Sequence, residues 1–332
     1  MNIGNIQLKN PVITAPMAGV TSRAFREILS SFGAGLVTTE MISAKALVYE
    51  NKQSLELLTL EETRPIVVQL CGHEPEFLAR AAVMAEQRGA SVIDINCGCP
   101  APKIVKNQDG SRLLAQPKLI ETIIREVKKA VSCPVTMKIR KGWEGPQETG
   151  LVAAVAGEQG GADAITVHGR YRQQFYTGEA DWDFVRRVKE AVSCPVIGNG
   201  DLFSGSDCLR MLDQTHCDGI MLGRGLMGNP WLVREALAVL AGENPPSVSA
   251  EERFAVAKRH LAREVELMGE YIGVREMRKH LAWYIKGMPK AAVFRNLLNS
   301  KETFDQVETA LLEYETMVRR YQGIEEKEIF KS

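Results

Sequence analysis

Two cysteines stand one residue apart in Asp94-Ile-Asn-Cys-Gly-Cys-Pro100, directly after an apolar run. Three chemistries suit such a pair: half of a metal site, a disulfide, or one working thiol beside an incidental one. Zinc needs about four ligands and favours a C-x2-C spacing, and only Cys71 and His73 could add ligands from nearby. A Cys97–Cys99 disulfide would close a very tight, strained ring. A single thiol is an effective acid, since a pKa of about 8.5 keeps it protonated at neutral pH yet able to release its proton.

Gln69, Lys138 and His168 also carry chemistry, because each interrupts an apolar run where valine or isoleucine is expected. Lys138 could form a Schiff base with a carbonyl substrate, or remain a cation that stabilises a developing anion. A reduced flavin is one such anion, negative near N1 and the C2 carbonyl, and Gln69 could hydrogen-bond the polar edge of the same ring. Met17, after Pro16, offers a soft apolar wall and a backbone N–H. Gly198-Asn-Gly-Asp201 and Leu222-Gly-Arg-Gly225 combine glycines, which let a phosphate approach the backbone, with the guanidinium of Arg224. At this level both a flavin and a sugar phosphate remain open.

These residues need a frame that gathers them. Eight β-branched runs alternate with helical stretches: 12–17, 36–41, 66–71, 92–97, 135–140, 164–169, 196–201 and 219–224. Their near-continuous apolar character predicts parallel strands covered on both faces. The segment AVSCPV occurs at 130–135 and again at 191–196, an internal echo of repeated strand–helix units. Eight such units predict an α/β fold of the (β/α)8 TIM-barrel class. The competing open doubly wound sheet lacks a GxGxxG fingerprint after its first strand. In a barrel the chemistry sits at the strand C-termini, where the polar residues fall. Residues 2–10 read as a small hairpin turning at Gly4-Asn5 that could plug the opposite end.

The strand pattern stops after Trp231, and AGENPPSVS (241–249) reads as a linker. Apolar residues then recur at helical spacing: Phe254, Ala257, Leu261, Val265, Met268 and Ile272 in one stretch, Val274, Met277, Leu281, Tyr284, Ile285 and Met288 in the next. Arg275, Arg278, Lys279 and Lys286 cluster on an adjacent side of the second helix, a stripe suited to phosphates or simply to solvent. The expected organisation is a barrel over 1–240 followed by a small all-α helical domain over 241–332. Trp283 could stack a base, and Tyr284 reads as core.

Composition limits the partners. The 332 residues are 45% hydrophobic and 25% charged with zero formal net charge, so bulk electrostatics announces no nucleic acid. No apolar run is long enough to span a membrane, and the N-terminus lacks the pattern of a signal peptide. Seven cysteines scattered over the chain predict reduced thiols and a cytoplasmic protein. No metal site and no obligatory protein partner are expected.

Seven segments together resemble the tRNA-dihydrouridine synthases, most closely the bacterial B-type enzymes. They are APMAGVTSRAFR (15–26), QLCG (69–72), DINCGCPAPKIVKNQDGSRLL (94–114), MKIRKGW (137–143), ITVHGRYRQQFYTGEADW (165–182), IGNGDLF (197–203) and GIMLGRGLMGNPW (219–231). KHLAWYIKGMP (279–289) resembles that family's C-terminal domain. The resemblance implies an FMN enzyme, recharged by NADPH, that reduces the C5=C6 bond of a D-loop uridine in tRNA, at position 17 for the B-type. Hydride would pass from flavin N5 to C6, and Cys99, between glycine and proline, would give the proton to C5. It implies FMN contacts from Pro16, Met17, Ala18, Gln69, Lys138, His168, Asn199, Gly200, Asp201, Gly223 and Arg224. Asn96, Arg170 and Arg172 would lie near the substrate. Position 97 is usually apolar in the family, so Cys97 reads as a small buried hydrophobe. Three other readings compete: a small-molecule flavin barrel of the dihydroorotate dehydrogenase kind, a non-catalytic tRNA-binding protein, and a Schiff-base aldolase.

Overall fold

The computed structural model describes residues 1–60 and 65–329, with side chains through Tyr321. The chain divides into two compact units, one of Met1–Gly225 with Leu232–Pro245 and one of Leu226–Trp231 with Pro246–Ser332.

The first unit is a parallel barrel. Its strands are Val12–Thr14, Val37–Thr38, Ile66–Cys71, Val92–Cys97, Val135–Gly142, Ala164–Tyr171, Val196–Asn199 and Gly219–Leu222. Each pairs with the next from the second to the eighth, and the eighth returns to the first. A bridge between Ile13 and Leu36 closes the ring. Ile66–Cys71 and Val92–Cys97 are buried at every residue, which is why they read as unbroken apolar runs. Outside, helices Pro75–Gln87 and Pro117–Ala130 turn Leu78, Ala81, Ala82, Ile120, Ile123, Ile124 and Val127 inward.

Two expectations are refined. The second strand, expected over 36–41, is broken into Val37–Thr38 and Ile42–Ser43, both paired to the third. The cause is Thr39, whose Oγ1 accepts the Gln69 N–H (3.2 Å) in place of a backbone carbonyl. The N-terminal hairpin pairs Asn2–Ile3 with Ile6–Gln7. Ile3 and Leu8 enter one apolar cluster with Ile13, Val67, Val92, Ala164, Ile197 and Met221 from the strands, so the hairpin does plug the barrel.

The AVSCPV echo is a repeated hydrogen-bond device. Glu86 Oε1 accepts from Ser132 N, Ser132 Oγ and Cys133 N (2.7–2.8 Å). Glu158 Oε1 accepts from Ser193 N and Cys194 N (2.6 and 2.8 Å). In each copy the valine N–H then donates to an aspartate, Asp163 or Asp218, that also binds the lysine of the preceding helix, Lys128 or Lys189. Against the cost of burial, the bonds from Ser132 and Cys133 hold the Glu86 carboxyl below the usual carboxylate range. Such stabilisation is present above the ordinary glutamate pKa and fades as pH falls through the lowered folded value. Glu86→Ala is therefore expected to lower stability by about 1 kcal/mol at neutral pH. In urea titrations, the gap to wild type should narrow in acid.

The second unit is helical: Ala250–Met268, Glu270–Tyr284, Ala291–Asn299 and Phe304–Ile329. Ser249 caps the first helix by accepting from Glu252 N. Phe254, Ala257, Leu261, Val274, Met277, Leu281, Tyr284, Ile285, Leu311 and Tyr314 form its core. The helix expected to reach 272 ends at Met268, because Gly269 takes a positive φ (+77°) and terminates it. Met268 and Ile272, expected in the core stripe, are exposed in consequence. The expected basic stripe is partly engaged, with Arg278 donating to Lys301 O and Lys279 paired to Glu276. Trp283 packs edge-on against His280. No helix among the described residues is long and apolar enough to cross a membrane.

Candidate active site

Strand register brings the polar residues together at one end of the barrel. Gln69 sits opposite Asp94, Asn96 opposite Lys138, Arg140 opposite His168, and His168 opposite Asn199. Four polar side chains from the third, fourth and fifth strands form one buried chain. Thr136 Oγ1 donates to Asp94 Oδ1 (2.7 Å), Gln69 Nε2 donates to Asp94 Oδ2 (2.8 Å), and Asn96 Nδ2 donates to Gln69 Oε1 (2.8 Å). Asn96 Oδ1 in turn accepts from Gly98 N (3.1 Å) and Cys99 N (2.9 Å), fixing the turn that presents Cys99. Ser111 N and Oγ both donate to the Cys99 carbonyl (3.1 and 2.9 Å). Gly110, at φ +62°, fits tightly there, since a Cβ would come within 2.9 Å of that carbonyl oxygen. Cys99 is thus half-buried and held from both sides, whereas Cys97 is fully buried within the strand.

The charges around Cys99 are mostly positive. Burial drives the Lys138 ammonium down to about 8, with Arg140 adding to the shift, and Lys138 has no hydrogen-bond partner among the described residues. Burial raises the Cys99 thiol, opposed by the Ala101 backbone, Arg140 and Lys138. The thiol stays protonated at neutral pH, and the two cations would ease its conversion to thiolate. His168 is pushed well below its ordinary pKa by burial and then by Lys138 and the nearby arginines, so it is neutral. Its Nε2 faces Arg170 Nη1 at 3.2 Å, and a guanidinium only donates, which assigns the ring proton to Nδ1.

The seventh and eighth strand ends form the other half. Asp201 accepts from Arg170 Nη2 (2.6 Å), Ala180 N (2.7 Å) and Arg224 Nη2 (2.8 Å). Asn199 Nδ2 donates to Met221 O (2.7 Å). Gly200 has φ +120°, and a Cβ there would meet Ala180 at 2.7 Å, whereas a Cβ at Gly223 would only make ordinary contact with Ala15 at 3.6 Å.

A dihydrouridine synthase (Dus) family profile matches residues 13–321. The chain is 41% identical to the probable tRNA-dihydrouridine synthase of Rickettsia bellii, over 96% of this chain and 98% of that protein. It is 40% identical to tRNA-dihydrouridine synthase B of Vibrio cholerae, over 95% and 98%. The chain belongs to the dihydrouridine synthase family. Solved structures similar in fold alone include histamine dehydrogenase from a Rhizobium species (TM-score 0.59, 14% identity, 79% of this chain and 50% of that one). A variant of NCR from Zymomonas mobilis gives a TM-score of 0.53 at 14% identity, over 76% and 93%.

Within this dihydrouridine synthase family member, several residues expected at the site are already bound to the protein. The Met17 N–H donates to Thr21 Oγ1 (3.0 Å), so what Met17 presents is its side chain and not its amide. Pro16 is half-buried, and Ala18 is exposed in the same turn, whose Gly19 N donates to Glu40. Arg170 is fully buried and donates to Thr177 O, Gly178 O, His168 and Asp201, so it braces the site from beneath. Arg172 lies with its guanidinium over the indole of Trp143. Two residues were given no role by the sequence, although Arg140 stands with Lys138 among the polar strand ends. Asp94 anchors the buried chain and is raised by burial, against the bonds from Thr136 and Gln69. Arg140 donates to Gly98 O, Tyr171 O and Phe175 O, tying the Cys99 turn to the loop after the sixth strand. The signal for both was a charge inside an apolar strand.

Proposed function

We propose that this chain is a tRNA-dihydrouridine synthase that uses FMN and NADPH to reduce the C5=C6 bond of a D-loop uridine, at position 17. The observation that carries the reading is the pairing of a rigidly held Cys99 with a Lys138 ammonium that makes no hydrogen bond to the described residues, at the ends of neighbouring strands.

The residues present suit FMN. Lys138 is a half-buried cation with no hydrogen-bond partner among the described residues, as an anionic ring edge requires, and neutral His168 has Nδ1–H to donate. The backbone at Gly223, where no side chain intervenes, would meet a phosphate beside Arg224. Gln69, Asn199 and Asp201 would line the same site, with Pro16, Met17 and Ala18 opposite. When bound, FMN supplies the hydride that uridine receives at C6.

Cys99 Sγ then releases its proton to C5, the S–H bond breaking as the C5–H bond forms, and solvent restores the thiol. Lys138 and Arg140 stabilise the thiolate left behind. Asn96 holds the Cys99 backbone, so thiol position does not depend on the substrate. In this reading the barrel holds FMN and the helical unit, with Arg275 and Lys286, contacts tRNA.

The test is direct. Purified protein should be yellow and bleached by NADPH, and should restore dihydrouridine at position 17 in tRNA from a strain lacking the modification, read by mass spectrometry. Protein that takes up no FMN, or tRNA left unmodified, would overturn the reading.

A further inference from the structure

Three loops at the barrel mouth meet at one indole. The Arg112 guanidinium lies 4.9 Å from the Trp143 ring centroid and that of Arg172 lies 4.5 Å from it. Arg112 belongs to the short turn Gly110–Ala115 after the fourth strand, and Arg172 to the turn Arg172–Gln174 after the sixth. Trp143 follows the fifth strand and is anchored by its N–H to Thr149 Oγ1 (3.1 Å).

The charges here are uncompensated. Arg170, Arg187, Arg210 and Arg224 each pair with a carboxylate. Among the described residues neither Arg112 nor Arg172 does. Among the described residues the Arg112 side chain donates only to the amide oxygen of Gln108 (3.3 Å), and the buried Arg172 Nε has no hydrogen-bond partner. Two guanidinium ions on one aromatic repel each other, and the indole quadrupole offsets only part of that repulsion. An anion between or beside them removes the repulsion, which makes the arrangement a preformed anion receptor. Planar guanidinium forks match phosphate oxygens in two-point contacts. Lys103 and Lys106 on the helix Pro102–Lys106 are exposed in the loop that also carries Arg112. Several exposed cations on one loop fit a polymer of phosphates better than a small metabolite. It is also in register with the chemistry, because Ser111, next to Arg112, holds the Cys99 carbonyl.

We propose that Arg112 and Arg172, seated on Trp143, clamp a backbone phosphodiester of the RNA strand entering beside Cys99. The proposal rests on the tRNA reading above and names contacts within it.

The test is binding of unmodified tRNA transcript to the flavin-loaded protein across a salt series, which requires no turnover. Removing one phosphate contact lowers the slope of log affinity against log salt by about 0.7–0.9. Because both arginines hold one phosphodiester, the double variant Arg112→Gln/Arg172→Gln should show that loss with at least tenfold weaker binding near physiological salt, and each single variant a part of it. Arg172→Lys should keep the slope while losing part of the affinity, since ammonium retains the charge without the fork. Trp143→Leu should weaken binding with little change in slope, because both charges remain. Should Arg172→Gln lose its flavin, Arg112→Gln on the outer turn carries the test alone. Unchanged slopes and affinities would overturn the clamp. A raised KM for NADPH with unaltered tRNA binding would assign the anion site to the dinucleotide and overturn it equally. Loss of slope in a protein that forms no dihydrouridine would keep the clamp and sink the catalytic reading instead.

Discussion

Replacing Cys99 with alanine should cut dihydrouridine formation by about 10²–10⁴-fold, the usual loss when a positioned general acid is removed. The flavin content should be unchanged, because Cys99 is half-buried and its backbone is held by Asn96 and Ser111 through atoms that alanine retains. Cys97→Ala is the matched control. Cys97 is fully buried in the fourth strand, and burial with Asp94 nearby pushes its thiol far above the range in which it could donate a proton. Losing its sulfur should cost about 1 kcal/mol of stability through a small cavity and leave turnover near wild type. Mass spectrometry of tRNA and a urea titration separate the two variants. Dead Cys97→Ala beside active Cys99→Ala would reverse the assignment.

Lys138→Met should slow bleaching of the flavin by NADPH by about 10²-fold, since a fixed cation facing developing negative charge contributes on that scale. Methionine keeps the length of the chain and removes only the charge. The pH dependence follows from the lowered pKa. Lys138 is an ammonium below about 8 and loses its proton above it, driven first by burial and then by Arg140. The wild-type rate should therefore fall as pH rises through about 8, well before a free lysine would titrate. Stopped-flow traces of the methionine variant should show no such limb. A variant that bleaches at the wild-type rate would remove Lys138 from any electrostatic role, and an identical pH limb in both would assign the titration elsewhere.

Much of the barrel was legible because burial on both faces leaves its own mark. A strand such as Val92–Cys97 has no solvent side, so it reads as continuous apolar chain, and polar residues inside such runs gather at one end of the barrel. That contrast pointed to Gln69, Lys138 and His168 before any coordinate. The Gly4-Asn5 turn was equally local, since a tight hairpin is decided by residues adjacent in the chain. Local too were the core positions Phe254 and Leu261, set by helical period.

Other features depend on contacts between distant residues. Thr39 breaks the second strand only because the third strand's Gln69 N–H comes within reach of its hydroxyl. The thread from Asp94 through Gln69 and Asn96 to Cys99 exists because neighbouring strands are in a given register, and a shift of one residue would turn each side chain to the other face. Arg170 and Arg172 look alike in sequence, two apart in one strand-end motif. Folding buries the first among carbonyls and the Asp201 carboxylate, and sets the second on Trp143. The sequence by itself determined which residue types end which strands, and therefore which chemistries they could perform. Tertiary structure decided which charges are compensated and which stay unpaired, because compensation depends on ångström distances that only the closed barrel sets.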